Sequence, residues 1–148
     1  MQIRIIDHLN DITAIQKEKE KAESDAKRKA RQIGQISKEA YRDPLTCVGS
    51  KMAYVKKSDE MKADIGRPGY KFAIVMVDVN FLKDVNDKFG HASGDEYLKG
   101  CCKVVCQIYK HSPVFRVAGD EFVAILTGED FDNRYERLDT IRRSFTDS

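Results

Sequence analysis

The sequence predicts an α/β domain preceded by a long, charged helix. Three observations carry that reading. Apolar and small residues step by three and four from Ile12 to about residue 42. Phe72 to Val77 is an unbroken apolar run. Two β-rich runs, 114–117 and 122–126, flank Ala118-Gly119-Asp120-Glu121 and read as a tight hairpin. With 148 residues the chain suffices for one domain. A domain of that size buries roughly 70% of the surface its unfolded chain exposes, so a real core is possible.

Taken in order, residues 2–6 (Gln-Ile-Arg-Ile-Ile) read as a short strand, and Asp11 or Thr13 as a helix cap. The helix that follows, 12–42, has two seams. One holds Ile12, Lys19, Ala26, Ile33 and Ala40; the other holds Ile15, Ala22, Lys29 and Ile36. That is a heptad pattern, weakened by its Ala and Lys positions. A coiled coil of adjustable pairing and a plain linker helix are the two readings. Asp43-Pro44 ends it, because proline disfavours helix in the residue before it.

Residues 49–63 read as a helix, and 65–70 as a loop. The run 72–77 fits a central strand covered on both faces, and it stops at Asp78. A helix over 81–89 carries Phe81, Val85 and Phe89 on one face, with Gly90 as its stop. Ser93-Gly94-Asp95-Glu96 reads as a capping box for the next helix. That helix runs to about Lys110 and turns Leu98, Cys101, Cys102, Val105 and Ile108 inward. The hairpin follows, and then a helix over 132–145.

Charged residues make up 34% of the chain but nearly cancel, to +2. That argues against a nucleic-acid binder relying on phosphate attraction. No apolar run approaches the ~20 residues of a membrane span, and no signal peptide is visible. Cys47, Cys101, Cys102 and Cys106 show no zinc spacing and read as small thiols in a reducing cytosol.

The chemistry concentrates in carboxylates. A strand ending in Asp78 and a hairpin tip carrying Asp120 and Glu121 are natural neighbours in one sheet. Three converging carboxylates repel one another, and a divalent cation resolves the conflict. Oxygen-only donors select Mg²⁺ or Mn²⁺, and Mg²⁺ shares its shell with substrate phosphates. Two solvated acids at a hairpin tip are the plain alternative.

Three blocks, DPLTCVGSKMAY (43–54), VDVNFLKDVNDKFGHASGDEYL (77–98) and FRVAGDEFVAIL (115–126), resemble in order and spacing the signature blocks of the GGDEF domain. The resemblance implies a bacterial, cytoplasmic diguanylate cyclase, which condenses two GTP into cyclic di-GMP and two pyrophosphates. It implies a fold like the adenylyl cyclase domain and the polymerase palm, with a mostly antiparallel sheet and flanking helices. By position, Asp78, the Val79 carbonyl, Asp120 and Glu121 would hold Mg²⁺ or Mn²⁺. Asn86 and Asp95 would read guanine, Lys83 would reach the phosphates, and Gly119 would let the backbone approach the nucleotide. Asp120 and Glu121 would be catalytic, Glu121 as a candidate base for the attacking 3′-hydroxyl. Each domain holds one GTP, so a homodimer through the stalk and facing domains is implied, with no nucleic-acid partner and no membrane contact.

The resemblance divides the chain into 1–11, similar to the exit of a PAS-type sensor; 12–42, a signalling helix; and 43–148, the GGDEF domain. Several positions depart from the pattern. Ala118 stands for the motif's first Gly, at a cost of roughly 1–2 kcal/mol if that position needs φ > 0. Asn80 stands for a frequent Asp, Cys47 for a Gly, and Ser50-Lys51 for Asn-Arg. The Arg-x-x-Asp of product inhibition, expected at Tyr109 to Ser112, is absent. The family also continues past residue 148 with a strand and a basic last helix, so the chain reads as a shortened domain. A degenerate GTP-binding module without turnover, favoured by Ala118, and a dimerising stalk with a passive cap are the competing readings.

Overall fold

The computed structural model describes the backbone of residues 2–146 and the side chains of 12–145. Two compact units emerge, 1–38 and 39–148. The first is helical: α1 runs unbroken over Gln2–Ala40. At 1.5 Å per residue it is about 58 Å long. The strand expected over 2–6 is helix instead, and Asp11 and Thr13 lie within α1 rather than capping it. No proline or turn cluster interrupts residues 2–40, so helix propagates through a segment whose isoleucines also suit a strand. Ile12, Ile15, Ile33 and Ile36 all lie exposed along α1.

The second unit holds α2 (Lys51–Lys62), β1 (Ala73–Asp78), α3 (Leu82–Phe89), α4 (His91–Ile108), β2 (Val114–Arg116), β3 (Glu121–Leu126), α5 (Gly128–Asp132) and α6 (Arg134–Thr146). Ser50 starts α2 by accepting from Ala53 N–H, and its hydroxyl donates to the Ala40 carbonyl at 2.7 Å. The strands form one antiparallel sheet in the order β1-β3-β2.

Strand alternation divides the core. Ala73, Val75 and Val77 of β1 join Phe122, Ala124 and Leu126 of β3 on one face, against Leu98, Cys102 and Val105 of α4 and Ile141 of α6. Phe122 and Leu126 are fully buried. Each such side chain contributes about 1.5–3 kcal/mol of transfer free energy. The other face carries Phe115 and Ile125, covered by Met61 and Tyr54 of α2. That cover stops short of β1, where Ile74 and Met76 are 49% and 68% exposed. β1 is therefore an edge strand open on one face, not the doubly covered central strand expected.

Two boundaries differ instructively. α4 starts at His91, not at a Ser93 capping box; Gly90, at φ 85°, both closes α3 and opens α4. A left-handed residue between helices needs glycine, and the Ser93 hydroxyl donates back to the Phe89 carbonyl. The last helical stretch is two helices. α5 exists to place Asp130, fully buried, under the amide of His111 and the hydroxyl of Ser112, at 3.0 and 2.8 Å. Arg137 Nε neutralises it at 2.8 Å from α6, an ion pair without hydrogen-bond alignment.

Candidate functional site at the sheet edge

The β1–β3 register sets the site. Asp78 is directly opposite Glu121, and the Val79 N–H donates to the Asp120 carbonyl at 2.9 Å. Paired residues in an antiparallel sheet share a face. Asp78 and Glu121 therefore lie side by side, with Asp120 next along the chain at the hairpin tip. Asp78 is exposed; Asp120 and Glu121 are half-buried. Val79 is 5% exposed, so its side chain anchors the strand end while the backbone stays at the edge. Among the described residues no three His, Cys, Asp or Glu side chains converge to cage a metal. The sheet edge supplies a strip of oxygen donors, not a closed protein cage.

The hairpin tip is held by Arg116. Its Nε and Nη2 donate to the Gly119 carbonyl at 3.1 and 2.6 Å, and Val117 N–H donates to the Glu121 carbonyl at 3.0 Å. Ala118 does not lie in the left-handed region, so the penalty considered for it does not arise. The main support for a degenerate domain goes with it. A Cβ on Gly119 would meet no protein atom within 4 Å. The space there is open to a ligand.

Asn86 packs against Gly94, the residue before Asp95. Gly94 is buried, and a Cβ added to it would collide with the Asn86 carboxamide. The amide of α3 thus lies directly on the backbone of α4 beside Asp95. Lys83 sits exposed in the first turn of α3.

Three features were not read from sequence. Phe81, at φ 64°, turns the chain from the strand end into α3, with no side-chain cap, which leaves the first N–H groups of α3 without a side-chain partner. The Tyr97 hydroxyl donates to the Asn80 carbonyl at 3.3 Å. Arg116 is the third. In the sequence Phe81 reads only as an apolar residue of its helix, and the other two features depend on tertiary pairing.

A cavity of about 140 Å³ collects Asp78, Val79, Asn80, Tyr97 and Phe145. A wider apolar groove of about 720 Å³, lined by Met61, Tyr70, Phe115 and Ile125, holds none of the candidate residues. Converging polar groups, rather than volume, locate the site.

The family described as "Diguanylate cyclase, GGDEF domain" matches residues 40–147. The chain belongs to the GGDEF family. It is 32% identical over 100 residues to diguanylate cyclase DgcS of Shewanella oneidensis, covering 67% of this chain and 34% of that protein. It is 30% identical over 95 residues to the probable diguanylate cyclase DgcE of Escherichia coli, covering 64% of this chain and 9% of that protein. The chain thus spans about a third or less of these relatives. Among solved structures it resembles the coiled coil and GGDEF domain of DgcB from Caulobacter crescentus, solved with c-di-GMP. There the TM-score is 0.72 at 21% identity, covering 81% of this chain and 63% of that one. Diguanylate cyclase SiaD of Pseudomonas aeruginosa, solved with its activator SiaC, gives 0.64 at 23% identity and covers 97% of this chain and 56% of that one. These likenesses establish the fold of this GGDEF domain, antiparallel sheet and flanking helices included.

Where the GGDEF pattern would place a product-inhibition motif, Tyr109 is fully buried and the Ser112 hydroxyl is engaged by Asp130. No helix among the described residues is long and apolar enough to cross a membrane.

Proposed function

We propose that this GGDEF domain, in its full-length protein, condenses two GTP into cyclic di-GMP and two pyrophosphates. The observation that carries the reading is the register that sets Asp78 against Glu121, with Asp120 beside them, at one sheet edge. An all-oxygen donor set suits a hard cation that shares its shell with phosphates. Asp78, the Val79 carbonyl, Asp120 and Glu121 would hold Mg²⁺ or Mn²⁺. The ion supplies charge neutralisation for the phosphates and a lowered cost of ionising the attacking hydroxyl.

The chain's own residues do the rest. Asp95 accepts from the N1–H and the exocyclic amine of guanine, a donor pair adenine lacks, and Asn86 completes the reading of the base edge. Lys83 and the uncapped first amides of α3 attract the phosphates. Gly119 leaves room for the nucleotide at the hairpin tip. Glu121 takes the proton of the 3′-hydroxyl. Each domain binds one GTP, so turnover requires two domains face to face. The exposed isoleucines of α1 support pairing with a second copy through the stalk.

The test is incubation of the full-length protein with GTP or ATP and Mg²⁺, read by chromatography. Cyclic di-GMP from GTP alone is expected, and Asp120→Ala should abolish it. GTP consumed without a cyclic dinucleotide, or ATP used equally well, would overturn the proposal.

A further inference from the structure

All four cysteines are free thiols, and three lie on α4. They divide by direction. Cys101 lies beside Tyr97 and lines the cavity beside Asp78. Cys102 and Cys106 stand one helical turn apart, where i and i+4 side chains meet at about 5–6 Å between Cβ atoms. The two thiols are close enough to shift one another's ionisation. Cys102 is 4% exposed; Cys106 is half-buried at the margin of the core. Cys102 also meets the Thr46 hydroxyl, so the pair lies behind the turn that enters the domain.

We propose that Cys102 and Cys106 form a bidentate site for a soft metal or metalloid centre that takes two thiolates. Donor number and donor type both point this way. Among the described residues no third His, Cys, Asp or Glu converges on the pair. A tetrahedral zinc or an iron–sulfur cluster, which requires four ligands, is therefore not served. Thiolate donors select soft acceptors. The helix preorganises both sulfurs on one face, so chelation does not have to order a loop.

The two thiols differ in a way that suits stepwise capture. Its neighbour Cys102 holds the Cys106 thiol below the usual range, against the opposing effect of burial. The neighbouring Cys106, and then burial, push the Cys102 thiol up. Cys106 attacks first, as the more exposed thiol, and Cys102 closes the ring. With a trivalent organoarsenic oxide, two arsenic–sulfur bonds replace the arsenic–oxygen bonding. The oxygen leaves with the two thiol protons as one water, and no oxidation state changes.

The test uses the full chain with phenylarsine oxide and intact-mass measurement. One phenylarsine per chain is expected, added with loss of one water and resistant to a monothiol challenge. Tandem mass spectrometry should find it bridging Cys102 and Cys106. Cys106→Ser should remove at least nine-tenths of the challenge-resistant adduct, and Cys47→Ser should leave it unchanged, both with a native circular-dichroism spectrum. No uptake, a bridge that includes Cys47 or Cys101, or an adduct equally resistant in Cys106→Ser would overturn the site. If Cys106→Ser does not fold, the bridge located in the wild-type chain decides alone.

Discussion

Arg116 joins two segments 73 residues apart: its Nη1 lies 3.4 Å from Asp43, while its Nε and Nη2 hold the Gly119 carbonyl. Asp43 in turn accepts from the Thr46 amide and hydroxyl at 2.8 and 2.6 Å. The turn that enters the domain and the hairpin tip that carries Asp120 are therefore tied through one guanidinium. A planar fork can address both partners at once, and an ammonium cannot. Arg116→Lys should keep the fold, lowering Tm by a few degrees, but reduce cyclase kcat by about tenfold or more, since small misplacements of reacting groups are costly. Parallel melting curves and GTP turnover check this. Unchanged kcat would mean that the hairpin tip needs no clamp.

The same pair makes stability depend on pH. Burial pushes the Asp43 carboxyl up, but the Thr46 hydrogen bonds and the Arg116 charge outweigh it, so its pKa lies below the ordinary 3.8. A carboxylate depressed on folding stabilises the native state above its unfolded pKa. That stabilisation is lost as pH falls through the lower, folded value. Asp43→Asn should therefore melt below wild type at neutral pH, and the gap should close on acidification below 3.8. A gap that stays constant in acid would place the effect of Asp43 in its hydrogen bonds alone.

The sequence made β1, α3 and the hairpin legible because each has a local signature: an apolar run, a glycine stop, and two β-rich runs around a tip. It also paired the right strands, with Asp78 opposite Glu121, although no three carboxylates converge among the described residues. What it lacked was context. Whether β1 is central or at an edge depends on its neighbours, and Ile74 and Met76 read as core residues while lying exposed. Five-residue α5 is too short for helical periodicity, and its reason, the burial of Asp130, lies in contacts with His111, Ser112 and Arg137. At the N-terminus, Ile-rich residues 2–6 satisfy strand and helix patterns alike, and helix continuity decided between them.

Cys47 is strained. It takes φ 63°, a left-handed conformation that costs a side chain with a Cβ about 1–2 kcal/mol. The Asp43 and Val48 backbone contacts fix that turn, with Asp43 N–H donating to the Val48 carbonyl at 2.8 Å and Cys47 N–H to the Asp43 carbonyl at 2.9 Å. Cys47→Gly should relieve the strain and stabilise the domain by about 1 kcal/mol, because glycine's greater unfolded freedom offsets part of the gain. Denaturant titration measures it. Destabilisation would show that the exposed thiol contributes packing that outweighs the strain.

Gly94→Ala separates binding from folding. The added methyl enters the volume of the Asn86 carboxamide, the flexible end of a side chain, so the helices can stay and the amide must move. If Asn86 and Asp95 read guanine together, the KM for GTP should rise by about tenfold or more, a loss of roughly 1.4 kcal/mol or more in binding. The melting temperature should fall only modestly. Calorimetric titration of GTP against wild type and variant, beside their melting curves, distinguishes the outcomes. Unchanged GTP affinity would remove Asn86 from the base-reading role.

The stalk supplies the last expectation. Along α1, Ile12, Ile15, Ile33 and Ile36 are each at least 50% exposed, and all fall on the two heptad seams. Between them the seams hold Ala22 and Ala26 with Lys19 and Lys29. Alanine buries little area, at ~25 cal/mol per Å². A lysine at a seam position lowers stability while favouring one register. Two parallel copies of α1 should therefore pair weakly, strongest at the isoleucine ends and loosest in the middle. Replacing both Lys19 and Lys29 by Leu should tighten the dimer at least tenfold, seen as a shift of the monomer–dimer transition to lower concentration in sedimentation. If the cyclase needs two facing domains, the double variant should also change turnover in the full-length protein, by holding one arrangement of the paired sites. Wild type and variant both monomeric across the concentration range would leave α1 a linker helix, and the pairing of the active sites would have to come from the domains themselves.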